Sequence, residues 1–356
     1  MVEGRDIVGV SVMYLAGVAA TAAASPAKSV LYAAGPAGLA AAIIFLILFC
    51  RKSGARIWIL ATFFSLGIFS FCCTEMCSHT TWQQPDAARN AFQLLKATIH
   101  DIGLKSEYEV LVTALLTGDR SGLAGDTVSA FRNAGAAHIL ALSGLHLGIV
   151  YGLFKRFLAL AGNSRGAEVA TSLTSVLAAG FYVLLTGCSA SVVRAFLFIC
   201  LNETARLCPG RMRNPMAIYA TALTIQLTIT PSVISSAGFQ LSYLAMLGIY
   251  TLFPRLDAWY PGSKKRLLKR IWSSAALTLS CQIFTAPLVW LYFKSFPVYF
   301  LITNLVALPL TEALIVCAVA STITAAAGLC PPPLIHITDF FAETLIDFLE
   351  AVASIS

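Results

Sequence analysis

Along this 356-residue chain, apolar and polar positions do not alternate; they fall in blocks. Apolar runs roughly twenty residues long are divided by short charged connections, and about that length of helix crosses the hydrocarbon of a bilayer. Candidate spans lie near 7–24, 30–50, 57–73, 138–154, 169–187, 189–207, 215–229, 233–252, 272–293, 298–308 and 313–329, with a further helical segment over 334–354. Alternation of the kind that marks a membrane barrel is absent. The expected fold is all-α: a polytopic membrane protein with about 10–11 transmembrane helices and short amphipathic helices beside them.

The same pattern divides the chain. Residues 1–74 read as a three-span N-terminal segment, and 75–134 as the one sizeable extramembrane stretch. Residues 135–330 form a compact membrane core, and 331–356 a C-terminal amphipathic helix. In the extramembrane stretch, 107–116 reads as a helix, 117–126 as a loop and 127–135 as a short helix. Asp126 is its expected N-cap and Gly135 its C-terminal stop. In the last helix Asp339, Glu343, Asp347 and Glu350 share one face. Acids are wrong for anionic headgroups, so that helix is expected to pack beside the spans with its acids in water.

Composition agrees: 58% of residues are hydrophobic and 12% charged, and the mean hydropathy is +0.80. Soluble domains carry about twice that charged share. The net charge of +7 suggests nucleic acid until its placement is considered. Basic residues cluster in alternate connections: Arg51, Lys52 and Arg56; Lys155, Arg156 and Arg165; Arg206, Arg211 and Arg213; then Arg255, Lys264, Lys265, Arg266, Lys269 and Arg270. The positive-inside rule makes that face, and the N-terminus, cytoplasmic. The basic surplus is mostly a topology signal. The 75–134 stretch, then outside, holds seven acids against five bases, a net of −2, and is no funnel for a polyanion. Glu3 and Asp6 offset Arg5, which argues against a secretory signal. The ten cysteines show no metal spacing, and no metal site or cofactor is expected.

Chemistry is concentrated in "AHILALSGLHLGIV" (137–150), which places His138, Ser143 and His146 inside an apolar run. Read as one helix, Ser143 and His146 share a face. They would then be either an intramembrane Ser-His hydrolase dyad or polar groups lining a passage. Neighbouring turns of one helix rarely give the attack geometry, which disfavours the dyad. Arg194 lies inside its span, as a snorkelling side chain or as a charge facing a polar interior. Glu203 lies on the opposite side of that helix, and Arg206 suits it better as a partner. Polar stripes recur on later spans: Thr221, Thr224 and Thr228; Gln240 and Ser242; Ser274, Thr278, Gln282 and Thr285; Thr303 and Asn304. One stripe alone is ordinary interhelical glue; several, with proline breaks, suit a polar passage.

"LLTGDRSGL" (115–123), "FRNAGAAHILALSGLHLGIV" (131–150), "TGCSASVVRA" (186–195), "PSVISSAGFQLSYLAMLGI" (231–249) and "QIFTAPLVWLYFKSFPVYFLITNLVALPL" (282–310) follow one another in order. Over about 105–330 the chain resembles ComEC-type competence proteins, the inner-membrane DNA-uptake channels of bacteria. The resemblance implies passage of single-stranded DNA across the inner membrane during natural transformation. It makes Asp119 and Arg120 a motif loop, and His138, Ser143, His146, Arg194, Gln240, Gln282 and Asn304 pathway or structural residues. The implied partners are single-stranded DNA, a separate extracytoplasmic DNA-binding protein, a nuclease, a cytoplasmic helicase, the lipid bilayer and further copies of the chain. Longer relatives carry an OB-fold-like domain, for which 75–105 is too short. Many also carry a metallo-β-lactamase-like domain, whose HxHxDH cluster is missing here. No nuclease activity is therefore expected of this chain, and no catalytic residue is assigned. A transporter or flippase for another solute is the alternative function.

Overall fold

Helices account for every regular element among the described residues, as an apolar solvent requires, because a helix satisfies its backbone groups internally. In the computed structural model, the structure describes residues 4–24, 26–51, 56–77, 84–160, 162, 164–207, 214–260, 266–294 and 299–355. The chain runs α1 (Gly4–Ala24), α2 (Lys28–Arg51), α3 (Arg56–Cys77), α4 (Asp86–His100), α5 (Ser106–Thr117), α6 (Gly125–Asn133), α7 (Ala137–Leu140) and α8 (Gly144–Ala159). It continues through α9 (Arg165–Leu185), α10 (Ala190–Leu207), α11 (Pro215–Ile229), a 3-10 turn (Pro231–Ser235), α12 (Ala237–Thr251), α13 (Phe253–Ala258), α14 (Arg266–Phe293), α15 (Phe300–Ala326) and α16 (Pro332–Ala353). Six of these, α1, α2, α3, α9, α14 and α15, are long and apolar enough to cross a membrane, and α11 is a shorter apolar helix. The fold is all-α and polytopic, as the sequence pattern implies. Of the basic connections, Lys52, Arg211, Arg213, Lys264 and Lys265 lie outside the described residues.

Three expectations change. The spans at 298–308 and 313–329 are one helix, α15, with Pro309 inside it. Proline removes one backbone hydrogen bond, and within a helical bundle that costs a kink rather than the helix. The span expected at 138–154 is instead broken between α7 and α8. Asp126 sits in the first turn of α6, but Ala124 occupies its N-cap. Gly135 does follow α6 with a left-handed φ of 77°.

Contacts divide the chain into two compact units, 1–83 with 197–246, and 84–196 with 247–356. In the first, α3 packs against both α1 and α2. A Cβ on Gly17 would strike the Phe64 carbonyl, and one on Gly67 the Tyr14 carbonyl. Lipid supplies no hydrophobic drive between helices, so such close small-residue packing replaces it. The threonine stripe of α11 faces α1: the Thr224 and Ser11 hydroxyls meet at 2.8 Å, and those of Thr228 and Tyr14 at 3.0 Å. That stripe is interhelical glue. In the same unit, Arg206 pairs with Glu203 at 2.9 Å.

The second unit is built around α5. Leu111, Leu115, Phe131, Leu314, Ile315, Leu345 and Leu349 form its core, drawn from α5, α6, α15 and α16. As expected, α16 packs along α15 with Ala342, Leu345 and Leu349 buried and Glu343, Asp347 and Glu350 in solvent. The Lys105 ammonium lies 3.9 Å from Glu343, and its amide donates to Asp339.

Gly67→Leu should lower thermal stability by about 2 kcal/mol or abolish folding, because backbone lies where its side chain would go. Gly148→Ala, with nothing near its added carbon, should leave it unchanged. Unfolding of the purified protein in detergent, followed by thermal shift, compares the two.

Candidate functional site: a capped helix break

The break falls at Ala141–Leu142–Ser143, where Ala141 (φ −75°, ψ 123°) and Ser143 (φ −119°, ψ 170°) are extended. A helix that starts inside an apolar bundle exposes amides with no intrahelical acceptor. Here Ser143 is the N-cap of α8, and its Oγ accepts the Leu145 amide at 3.2 Å. His146 reciprocates from the third helical position: its Nδ1 accepts the Ser143 amide at 3.1 Å and lies 2.9 Å from Ser143 Oγ. This is a capping box, with imidazole in the place usually held by a carboxylate. The two residues do not share a helical face, as a continuous helix would require. They bracket a helix start.

The geometry also fixes proton placement. Nδ1 accepts a backbone amide, so it carries no hydrogen, and the neutral ring bears its proton on Nε2. His146 is 1% exposed, and its Nε2 has no hydrogen-bond partner among the described residues. The ring is therefore a buried donor without an acceptor. A catalytic dyad needs that second nitrogen held by an orienting group. The 2.9 Å approach alone meets the distance requirement that helical spacing argued against.

Two more motif blocks meet this break. Gly144 packs on Ala195 of α10, where an added Cβ would come within 3.0 Å of the Ala195 side chain. Its neighbour Arg194 is only 5% exposed, so it is an interior charge and does not snorkel. From the other side, an added Cβ on Gly118 would sit 3.4 Å from Leu142. Gly118 ends α5 with φ 82°, a left-handed conformation that favours glycine. The loop after it is held rigidly. Thr117 Oγ1 accepts the Asp119 amide at 3.2 Å, Asp119 Oδ1 accepts the Ser121 amide at 3.0 Å, and the Lys96 ammonium donates to Asp119 Oδ2 at 2.6 Å. Those bonds hold the Asp119 carboxyl at about 2, below the usual carboxylate range, with the Lys96 hydrogen bond as the largest cause. The Tyr182 hydroxyl donates to the Leu116 carbonyl at 2.6 Å, and the Gln84 amide donates to the carbonyls of Leu184 and Leu185 at 3.0 and 2.8 Å. The start of α4 and the end of α5 thus clamp α9.

The other expected residues lie elsewhere. His138, on α7, is solvent-accessible although protein packs densely around it, and its ring donates to the Gly135 carbonyl. Asn304 is half-buried on α15, which packs on α8, and its Oδ1 has no partner among the described residues. Gln282 is half-buried on α14. Gln240 belongs to the first unit, where its amide donates to the Ile234 carbonyl and joins the 3-10 turn to α12. Sequence reasoning missed Gln84 and Tyr182, whose long-range bonds leave no spacing signal. No group of three or more potential metal ligands occurs among the described residues.

Long apolar helices and an interior broken helix with buried imidazole and guanidinium define a multi-pass, all-helical membrane protein with a polar site. Residues 115–356 match the model of the competence-protein family, and the chain belongs to that family. ComE operon protein 3 of Bacillus subtilis (strain 168) is 35% identical over 134 residues, covering 37% of this chain and 17% of that protein. Competence protein ComA of Neisseria gonorrhoeae is 28% identical over 260 residues, covering 69% of this chain and 34% of that protein. The chain thus spans well under half the length of either relative. No solved structure matches it.

Ser143→Ala should cost about 1 kcal/mol through loss of the cap, and Ser143→Asn should recover most of it. His146→Ala should be non-additive with Ser143→Ala by more than about 0.5 kcal/mol, because one box contains both. Additive losses in a double-mutant cycle would show that the box does not act as a unit. The Asp119 carboxyl is depressed in the folded state, so its stabilisation is complete above its unfolded value and lost as pH falls through about 2. Unfolding of wild type and Asp119→Asn should therefore differ at pH 5 and converge toward about pH 2.

Proposed function

We propose that this chain is the membrane core of a conduit that carries single-stranded DNA across the bacterial inner membrane, with its N-terminus in the cytoplasm. The observation that carries the reading is the meeting of three motif blocks, 115–123, 131–150 and 186–195, at one broken helix. A nucleic-acid strand brings one charge per phosphate, and an apolar bundle cannot take it without polar or cationic groups that replace water. Arg194, the His146 Nε2 hydrogen and the Asn304 amide are of that kind. Broken helices are also where membrane carriers place charged cargo, beside backbone groups a continuous helix would hide.

The reading assigns no bond-breaking step to this chain. Ser143 and His146 are a cap, and strand cleavage, delivery of the strand and its pulling from the cytoplasm fall to separate partners. A transporter or flippase for another solute would use the same architecture, and the experiment separates the two. Deleting the gene in a transformable host should leave labelled DNA outside the inner membrane, with wild type restoring entry to the cytoplasm. Arg194→Gln at equal membrane abundance should restore markedly less. Undiminished cytoplasmic entry without the gene would assign the chain to a different cargo.

A further inference from the structure

The motif loop after α5 displays one side chain that it does not use. Thr117, Gly118 and Asp119 are all engaged in shaping the loop, through the hydroxyl–amide bond, the left-handed turn and the Lys96 ion pair. Ser121 closes it through its own amide. Arg120, between them, is exposed, and its guanidinium has no hydrogen bond or ion pair among the described residues. An unpaired surface arginine is usually just solvated. This one is held by a rigid loop that abuts Leu142, one residue before the N-cap of α8.

Two further groups follow on the same connection. Arg132, in the last turn of α6, is exposed and likewise unpaired among the described residues. Its carbonyl accepts the Gly135 amide at 3.0 Å, and the Gly135 carbonyl in turn accepts the His138 ring. His138 is itself exposed. Nearby acids weigh little against these groups. Asp119 is neutralised by Lys96 at 2.6 Å, and Asp126 sits at the opposite end of α6 from Arg132.

We propose that Arg120, Arg132 and His138 form the receiving rim of the site, with Arg120 as its principal contact to the phosphodiester backbone of a single strand. The inference rests on the conduit reading for the identity of the polyanion and adds the residues that first engage it. Guanidinium presents a planar fork of donors that matches two phosphate oxygens, which an ammonium cannot do. Contacts to phosphate carry no base information, so such a rim accepts any sequence. The net −2 of the stretch is a sum over all its residues, whereas Arg120 and Arg132 are exposed without an ion pair among the described residues and Asp119 already faces Lys96.

The test uses the full chain in zwitterionic nanodiscs, with binding of a labelled oligothymidylate of about 20 nucleotides followed by anisotropy across a salt series. Each lost phosphate contact should flatten the slope of log affinity against log salt by about 0.7. Arg120→Gln should do so with a several-fold loss of affinity at low salt, and Arg120→Gln with Arg132→Gln should flatten it roughly twice as far. Arg120→Lys should keep most of the slope but lose part of the affinity. Thermal unfolding should not move, because the group is exposed. Wild-type binding that both glutamine variants retain in full would overturn the rim while leaving the conduit reading in place. No wild-type binding would also overturn it, and the gene-deletion phenotype would then judge the conduit separately. A loss seen only in nanodiscs containing anionic lipid would reassign Arg120 to a lipid headgroup.

Discussion

Inside an apolar bundle, a helix that begins in the middle must satisfy its free amides with whatever side chains are at hand. At the start of α8 the hydroxyl of Ser143 and the imidazole of His146 meet that demand together. Removing either leaves a polar backbone group in surroundings that cannot hydrogen-bond it, at a cost of about 1–3 kcal/mol. The break in turn sets what surrounds it. It lets Gly144 approach Ala195 beside the buried Arg194, and it brings Leu142 against Gly118 at the root of the motif loop. A continuous helix over 138–154 would not need the cap that Ser143 and His146 supply.

The cap has a chemical consequence. Because Nδ1 is occupied by the Ser143 amide, the His146 proton sits on Nε2, in the interior and without an acceptor. Buried polar groups are nearly always bonded, so this hydrogen is an exception among the described residues. Asn304 Oδ1 on the neighbouring α15 is a second exception. The stripe on α11, by contrast, is consumed in bonds to α1. Polar residues among those described therefore include some spent on helix–helix bonds and a few, such as His146 Nε2 and Asn304 Oδ1, that are not.

Much of this was legible in the amino-acid sequence. Length and hydropathy alone locate the long helices, because lipid permits little else. α11 even starts and stops where the pattern indicates, with Asn214 as cap and Pro215 in its first turn. The break was not legible as such, since Ala141, Leu142 and Ser143 continue an apolar run with no proline. Its signal was the Ser-x-x-His spacing, a capping box disguised by the histidine. Pro309 misled in the opposite sense, as a lone proline inside α15 does not end the helix.

α8 starts at Gly144, behind its Ser143 cap and against Ala195 of α10, and proximity at that point tests this placement most directly. Gly144→Cys with Ala195→Cys, oxidised in native membranes and mapped by peptide mass spectrometry, should give a disulfide, since the two β-carbons would lie 3.0 Å apart and need move apart by only about 0.5–1 Å to reach disulfide geometry. Gly35→Cys, facing the native Cys72 across α2 and α3, should cross-link as a positive control. If the control pair forms and the 144–195 pair does not, α8 does not begin where this account places it, and the site built around that start falls with it.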